Sequence, residues 1–286
     1  MVLGYFFTLP AVILMVLLLF IPMGKSIYLS LFDTSLTNPV HTFIGLEGYR
    51  ELFSEDVTWL VLKNSFLWTI VVTFFQNALG LMTALVLNRS FRGRAFFRTI
   101  SIIPWVMPGV VAAMVWRMFG DAQLGFLNAL LFKLNIIKVP IDWLGTPGLA
   151  MATVILTAIW KGFGFSMLMY LAALQTVPSE QYESSCIDGA NSIQMFFYIT
   201  IPNIRPVMNT TILLTSIFTF NYFDIIYGMT GGGPLRSTQI APTFIYEVGF
   251  RYFNFGLASR YAVLSFFIVG SASLIYIFVI NKKEKL

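Results

Sequence analysis

Apolar residues gather into six long blocks, at about 4–31, 61–87, 99–119, 149–177, 206–227 and 257–280, parted by shorter polar stretches. Each reaches the ~20 residues that a helix needs to cross the hydrocarbon core. Strands of a membrane barrel would instead alternate apolar and polar over ~10 residues. The pattern predicts an all-α membrane protein of about six transmembrane helices. Span ends are blurred by several residues, because such helices tilt and continue past the lipid. The first block begins at an apolar run from Tyr5 to Phe20, lacks a basic leader and an A-x-A-like cleavage site, and continues through Pro22 to Leu31. It is therefore expected to stay as a span and not to be removed as a signal peptide.

The connectors fix a direction. The first, from Asp33 to Lys63, carries Asp33, Glu47, Glu51, Glu55 and Asp56 against Arg50 and Lys63. The second, from Asn88 to Arg98, holds Arg89, Arg92, Arg94 and Arg98 and no acid, and the tail Asn281–Lys285 is basic too. Basic loops stay in the cytoplasm, so both termini and the segment 178–205 are expected there, with the acidic connector outside. In 178–205, Ser179 reads as a helix N-cap with acids in the first turn, Gly189 as the bend, and Ser192 to about Thr200 as a second short helix. Pro202 and Pro206 would then delimit the start of span five. On the outer side, Asp142–Gly148 is a turn cluster with Trp143 as an interfacial aromatic, and Thr230-Gly231-Gly232-Gly233-Pro234 follows span five.

Two polar features lie inside spans. Lys161 is near the middle of span four and Asp224 toward the outer end of span five. A charge at that depth costs about 2.5–3.5 kcal/mol on insertion scales, so it is expected to face a cavity or a partner; for Lys161, snorkelling or helix–helix bonding is the other reading. Thr215, Phe218, Thr219 and Tyr222 recur at the 3-4-3 spacing of one helix face. Hydroxyls and aromatic faces suit a sugar, while a helix-packing face glued by polar residues accounts for the same pattern.

Composition narrows the classes further. Of 286 residues 57% are hydrophobic and only 11% charged, against about 25% in soluble domains. The net charge of +5 is spread over loops, without the basic and aromatic stripe of a nucleic-acid module. One cysteine, Cys186, and one histidine, His41, offer neither an intrachain disulfide nor a metal cluster. No G-x-x-x-x-G-K-[ST] phosphate loop occurs, and neither do H-E-x-x-H or Ser/Lys constellations. An ATP-driven machine containing this chain must hydrolyse ATP on another subunit.

The segment Glu183-Ser184-Ser185-Cys186-Ile187-Asp188-Gly189-Ala190, followed by Ile201-Pro202 and Pro206, resembles the EAA-type loop of bacterial ABC importer permeases. Ser184 and Ser185 stand where two alanines are usual. Phe43-x-Gly45-Leu46-x-x-Tyr49 resembles the family's F-x-G-L-x-N-Y, with Gly48 where Asn is commoner. Arg92-Gly93-Arg94-x-Phe96-Phe97-Arg98 with Pro104, the Thr-Gly-Gly-Gly-Pro loop, and Tyr246, Phe250, Phe255-Gly256 and Ala258 continue the likeness. It covers nearly the whole chain and points to maltose-type sugar permeases.

The resemblance implies a type I ABC importer permease fold, with residues 1–60 as an N-terminal span plus extracytoplasmic segment and 61–286 as the permease core. It implies a multi-pass protein of the bacterial inner membrane. The implied partners are a second, homologous permease, two copies of a cytoplasmic ATPase that uses ATP and Mg, an extracytoplasmic solute-binding protein, a carbohydrate substrate and membrane lipid, with no nucleic acid. No cofactor is expected on the chain itself, and no enzymatic activity. Glu183, Ser184, Ser185, Asp188, Gly189 and Ala190 would couple to the ATPase. Ligand contacts would fall on Ala158, Lys161, Gly162 and Phe165 of span four and on Thr215, Phe218, Thr219 and Tyr222 of span five. Lys161 leaves open an acidic oligosaccharide or glycerol phosphate as cargo. A proton-coupled secondary transporter would carry more acids in its spans than Asp224 alone.

Overall fold

The computed structural model describes the backbone of residues 2–36 and 38–284, and the side chains of 8–36 and 42–280. The side chains of His41 and of the basic tail 281–286 lie outside the described residues. In chain order the elements are α1 (Val2–Met15), a π turn (Val16–Phe20), α2 (Ile21–Ser30), strands β1 (Phe32–Ser35) and β2 (Asn38–Phe43), α3 (Glu47–Ser54) and α4 (Asp56–Asn88). Then come α5 (Arg94–Val106), α6 (Gly109–Phe119), α7 (Phe126–Lys133), α8 (Pro147–Leu174), α9 (Ser179–Ile187), α10 (Ser192–Met195), a second π turn (Phe196–Thr200) and α11 (Ile201–Phe220). The chain closes with α12 (Asp224–Met229), α13 (Ala241–Tyr246), a third π turn (Glu247–Arg251) and α14 (Phe255–Glu284).

Among the described residues, four helical stretches are long and apolar enough to cross a membrane: Thr8–Ser30, Asp56–Asn88, Pro147–Leu174 and Phe255–Ile280. The expected third span, 99–119, is not one straight helix. It is the pair α5 and α6, bent by 97°, and counts as a fifth candidate if the pair is one span. Pro108 causes the break, because its ring forces Met107 out of the helical region to φ −62°, ψ 135°. The expected fifth span is also relocated. Its helix, α11, starts at Ile201, ends at Phe220, and carries Asn203, Arg205, Asn209 and four threonines. By length and composition the described residues thus offer four or five spans, with α11 long but more polar.

Pro202 and Pro206 do not delimit a helix start: α10, the second π turn and α11 run on as one rod. The π turn explains the tolerance. The N–H of Ile201 reaches back five residues to the carbonyl of Phe196, so the four-residue ladder is already open where Pro202 brings no N–H. The same device stands before Pro22, where Ile21 bonds the Val16 carbonyl.

The chain divides into two compact units, Met1–Lys63 with Ile240–Ala272, and Asn64–Gln239 with Ser273–Leu286. In the first, the acidic connector folds into an antiparallel hairpin, Phe32 opposite Phe43, followed by α3. Thr58 ties this region to α14: its hydroxyl lies 2.5 Å from the Tyr261 hydroxyl and donates to the Leu52 carbonyl. In the second unit α8 is the central helix, packed against α5 and α11. Its C-terminal end meets a core of Ala84, Leu87, Met167, Tyr170, Leu171, Leu174 and Ile204. Close approach of α4 to α8 depends on Gly80, where a Cβ would fall 2.5 Å from the Cβ of Ser166. Leu14, Leu17, Leu18, Leu19 and Phe20 of the first span are exposed, as a lipid-facing helix requires.

Candidate functional site

Two regions of the second unit carry the residues singled out from the sequence. The first is the meeting of α4, α8 and α11, where polar groups of α4 reach across to main-chain and side-chain acceptors. Gln76 Nε2 donates to the Ala158 carbonyl at 2.9 Å, and Trp68 Nε1 to the Thr219 carbonyl at 2.9 Å. Asn77 Nδ2 donates to Thr215 Oγ1 at 2.9 Å and to the Thr73 carbonyl at 2.8 Å, while its Oδ1 accepts from the Tyr170 hydroxyl. The Thr215 hydroxyl in turn donates to the Thr211 carbonyl at 2.8 Å. In an apolar interior such a chain of bonds holds three helices in one register.

Within this frame the eight predicted ligand contacts separate into two groups. Ala158 is fully buried, and a Cβ on Gly162 would overlap Gln76 Nε2, so both pack against the Gln76 amide. Thr215 is buried within the Asn77 network. Thr219 is buried too, its Oγ1 without a partner and its carbonyl taken by Trp68. Phe165 and Phe218 meet edge to face, with centroids 6.1 Å apart, and Phe165 also meets Trp105 at 5.8 Å. Phe218 is exposed, Phe165 half-buried and Lys161 buried at 9% exposure, without a carboxylate within 4 Å among the described residues. Tyr222 lies past the end of α11 and stands edge-on to Trp68 at 6.2 Å. A cleft of about 410 Å³ opens beside Thr73, Asn77, Tyr170, Met208 and Ser216, and none of the eight lines it. Asp224 begins α12 and lies over Gly109, where a Cβ would overlap its Oδ2, so the carboxylate sits at the N-terminal turns of both α12 and α6.

Trp68, Gln76, Asn77 and Tyr170 were not singled out from the sequence. A signal was present, since Gln76 and Asn77 are adjacent amides inside an apolar span, where polar groups need partners.

The second region is 178–205. Helix α9 begins after Pro178, so Ser179 is its first turn and not its cap; Pro178 offers no side-chain cap. Gly189 turns the chain at φ +79°, with open space where a Cβ would project, and Ala190 returns its N–H to the Ser185 carbonyl at 2.9 Å. Asn191 and Gln194 then form a reciprocal capping box that starts α10. Tyr182 is hydrogen-bonded to Thr200 at 2.9 Å, and Asn203 donates to Gln181 at 2.8 Å, fastening α9 to the rod that continues as α11. Ser185, Asp188, Gly189 and Ala190 line a cleft of about 310 Å³ with Met195 and Tyr198. Glu183 and Ser184 are exposed beside it, as are Ile187, Ile193, Phe197 and Tyr198. A well-fastened helix pair therefore presents apolar and acidic side chains to the outside.

The Asp142 turn forms as expected, Oδ1 accepting from the Gly145 N–H at 2.8 Å, but Trp143 is engaged, its Nε1 donating to Asn128 Oδ1 at 3.0 Å. The Thr-Gly-Gly-Gly-Pro loop closes on itself, Thr230 and Thr238 hydroxyls 2.7 Å apart and Thr238 Oγ1 donating to the Gly233 carbonyl at 2.8 Å.

Long apolar helices, one sharply bent helix pair and amide links between helices define a helical membrane protein. Residues 76–282 match the family model described as "Binding-protein-dependent transport system inner membrane component". The chain is 32% identical over 278 residues to the trehalose/maltose transport system permease protein MalF of Thermococcus litoralis, covering 96% of this chain and 92% of that one. It is 33% identical to the sulfoquinovosyl glycerol transport system permease protein SmoG of Agrobacterium fabrum, covering 96% and 89%. A chain of a bacterial alginate ABC transporter, solved with an alginate pentasaccharide-bound periplasmic protein, superposes with a TM-score of 0.82 at 21% identity, over 96% of this chain and 92% of that chain. The protein belongs to the family of inner membrane components of binding-protein-dependent transport systems, and it has the ABC importer permease fold.

Proposed function

We propose that this permease translocates a sugar or oligosaccharide delivered by an extracytoplasmic solute-binding protein, in a pathway shared with a second, homologous permease. Two copies of a separate ATPase supply the energy with ATP and Mg, and this chain binds neither. Similar permeases named for trehalose and maltose and for sulfoquinovosyl glycerol support the carbohydrate class. The observation that carries the coupling is the loop 178–205, where Tyr182–Thr200 and Gln181–Asn203 make a stiff joint. Glu183, Ser184, Ser185, Asp188, Gly189 and Ala190 seat it in the ATPase. ATP closes the ATPase dimer, the loop follows, and the rod from α10 through α11 turns the permease toward its outward-open state. Both termini lie in the cytoplasm. Ala158, Lys161, Gly162, Phe165, Thr215, Phe218, Thr219 and Tyr222 belong to the pathway, Phe165 and Phe218 offering ring faces and the buried Ala158, Gly162 and Thr215 setting the spacing behind them.

The test is labelled-sugar uptake in cells that lack the ATPase or are treated with an uncoupler. Uptake must vanish in the first and persist in the second; the reverse pattern would make this a secondary transporter. A second reading, an acidic oligosaccharide as cargo, is favoured by the buried Lys161. Lys161→Met should then abolish uptake of the acidic ligand and spare a neutral one.

A further inference from the structure

A second polar pocket lies wholly within the first unit and is not used by the pathway described above. It holds about 390 Å³ between β1, α3, α13 and the start of α14, within the ~300–1,000 Å³ typical of small-ligand sites. Its lining includes Arg260, which is only 5% exposed. The guanidinium lies against Gly48, where a Cβ would fall 3.0 Å from its Cζ and Nη1 and 2.6 Å from Ile44 Cδ1. Gly256 is needed instead for the β1 backbone, since a Cβ there would overlap the Phe32 carbonyl oxygen. Gly48 is the position at which the F-x-G-L-x-N-Y pattern departs, and the missing side chain is what makes room for Arg260.

Arg260 is poorly bonded for so buried a group. Of its five donors only Nη1 is engaged, with the Gly48 carbonyl at a long 3.4 Å, and Nε has no partner. Among the described residues no carboxylate comes within 4 Å of it. Yet three exposed carboxylates, Asp33, Glu51 and Glu55, line the same pocket, with Asn254 beside them. The pocket therefore combines hydrogen-bond donors from a buried cation with acceptors from its acidic lining. A lysine side chain would satisfy the acids and be repelled by Arg260. A carboxylate would meet Arg260 and be repelled by three acids. A hydroxyl-rich neutral solute suits both, because each hydroxyl donates and accepts.

We infer that this pocket binds a neutral, hydroxyl-rich solute, such as a sugar unit, at a site separate from the α8 and α11 residues. The carbohydrate reading above enters only in the choice of probe. The experiment is equilibrium binding of radiolabelled maltose and trehalose to the full-length permease in lipid nanodiscs. Saturable binding of at least one is expected, unchanged in Arg50→Ala, an exposed position on the same helix. It should fall at least tenfold in the double variant Glu51→Ala/Glu55→Ala, whose side chains are exposed and whose removal leaves the packing intact. Gly48→Val, which drives a side chain into the guanidinium seat, should do the same, with thermal melting run alongside to separate loss of binding from loss of fold. Absence of saturable binding, binding untouched in the double variant, binding lost instead in Phe218→Ala, or preferential binding of a lysine-rich peptide would overturn it. Uptake by the assembled importer is scored separately: uptake with no pocket binding sinks this inference alone, whereas pocket binding without ATP-dependent uptake sinks the transport reading.

Discussion

Gln76 has an amide in the middle of an apolar helix, and its Nε2 is anchored to a carbonyl of α8 at a point where only glycine leaves room. Gly162→Ala should therefore push the amide aside and strand both it and the Ala158 carbonyl. The cost should be about 1–3 kcal/mol, read as a drop in melting temperature in detergent. Asn77→Ala removes the shared partner of Tyr170 and Thr215; hydrogen bonds between membrane helices average about 0.6 kcal/mol, so a loss of roughly 1–2 kcal/mol is expected for the set. Thr215→Val, which breaks one bond of that set, should cost less if the bonds add independently, and a cost equal to that of Asn77→Ala would show that the set is lost as one cooperative unit. Outside the spans, Asp121 accepts from the Gln123 and Leu124 N–H groups, and those bonds, Leu124 first, hold its carboxyl below the usual range. Because the folded value is depressed, the turn's stabilisation is present above the ordinary carboxylate pKa and fades as pH falls through the lowered one. The protection of the Gln123 and Leu124 amides against hydrogen exchange, relative to the intrinsic rate at each pH, should fall in that acid window and show no such step in Asp121→Asn.

At the scale of elements, the apolar blocks were legible because a bilayer imposes length on any helix that crosses it. The bend of 97° between α5 and α6 was not read, although Pro108 announces it, since hydropathy is blind to direction. Prolines misled in the other direction at 202 and 206, where the π turn absorbs the missing N–H and no boundary forms. The loop 178–205 was legible in part: the bend at Gly189 and the short helix α9 follow from local chemistry, whereas the expected second short helix is only the first turns of the rod that runs on into α11. The bonds Tyr182–Thr200 and Asn203–Gln181 join residues 18 and 22 apart, and no local pattern encodes them. The same holds for the residues proposed for the pathway: helical spacing places Thr215 and Phe218 near each other, but which of them turns toward α4 depends on Asn77. Gly189→Pro should leave the protein inserted and uncouple ATP hydrolysis from import. Cys186, exposed on α9, is a built-in reporter: bound ATPase should slow its maleimide labelling in permeabilised cells severalfold. Labelling indifferent to the ATPase would remove the loop from the interface.

For the whole molecule, orientation is the property on which the other assignments depend. In a Cys186→Ser background, cysteines at 47 and 235 should label from outside and one at 93 only after permeabilisation, as the arginine loop demands. External labelling at 93 would invert the chain and put loop 178–205 beyond an ATPase's reach. The division into two units, the first built from Met1–Lys63 and Ile240–Ala272, also bears on how the protein is made. At ~5–20 residues per second the ribosome needs about 10–35 s to add residues 64–239. Throughout that interval the nascent hairpin and α3 are in place without α14, and the glycine seat at 48 is empty because Arg260 has yet to be made. A newborn chain arrested before α14 would therefore expose an unfinished half-domain, a natural handle for the proteases and insertases that patrol the membrane.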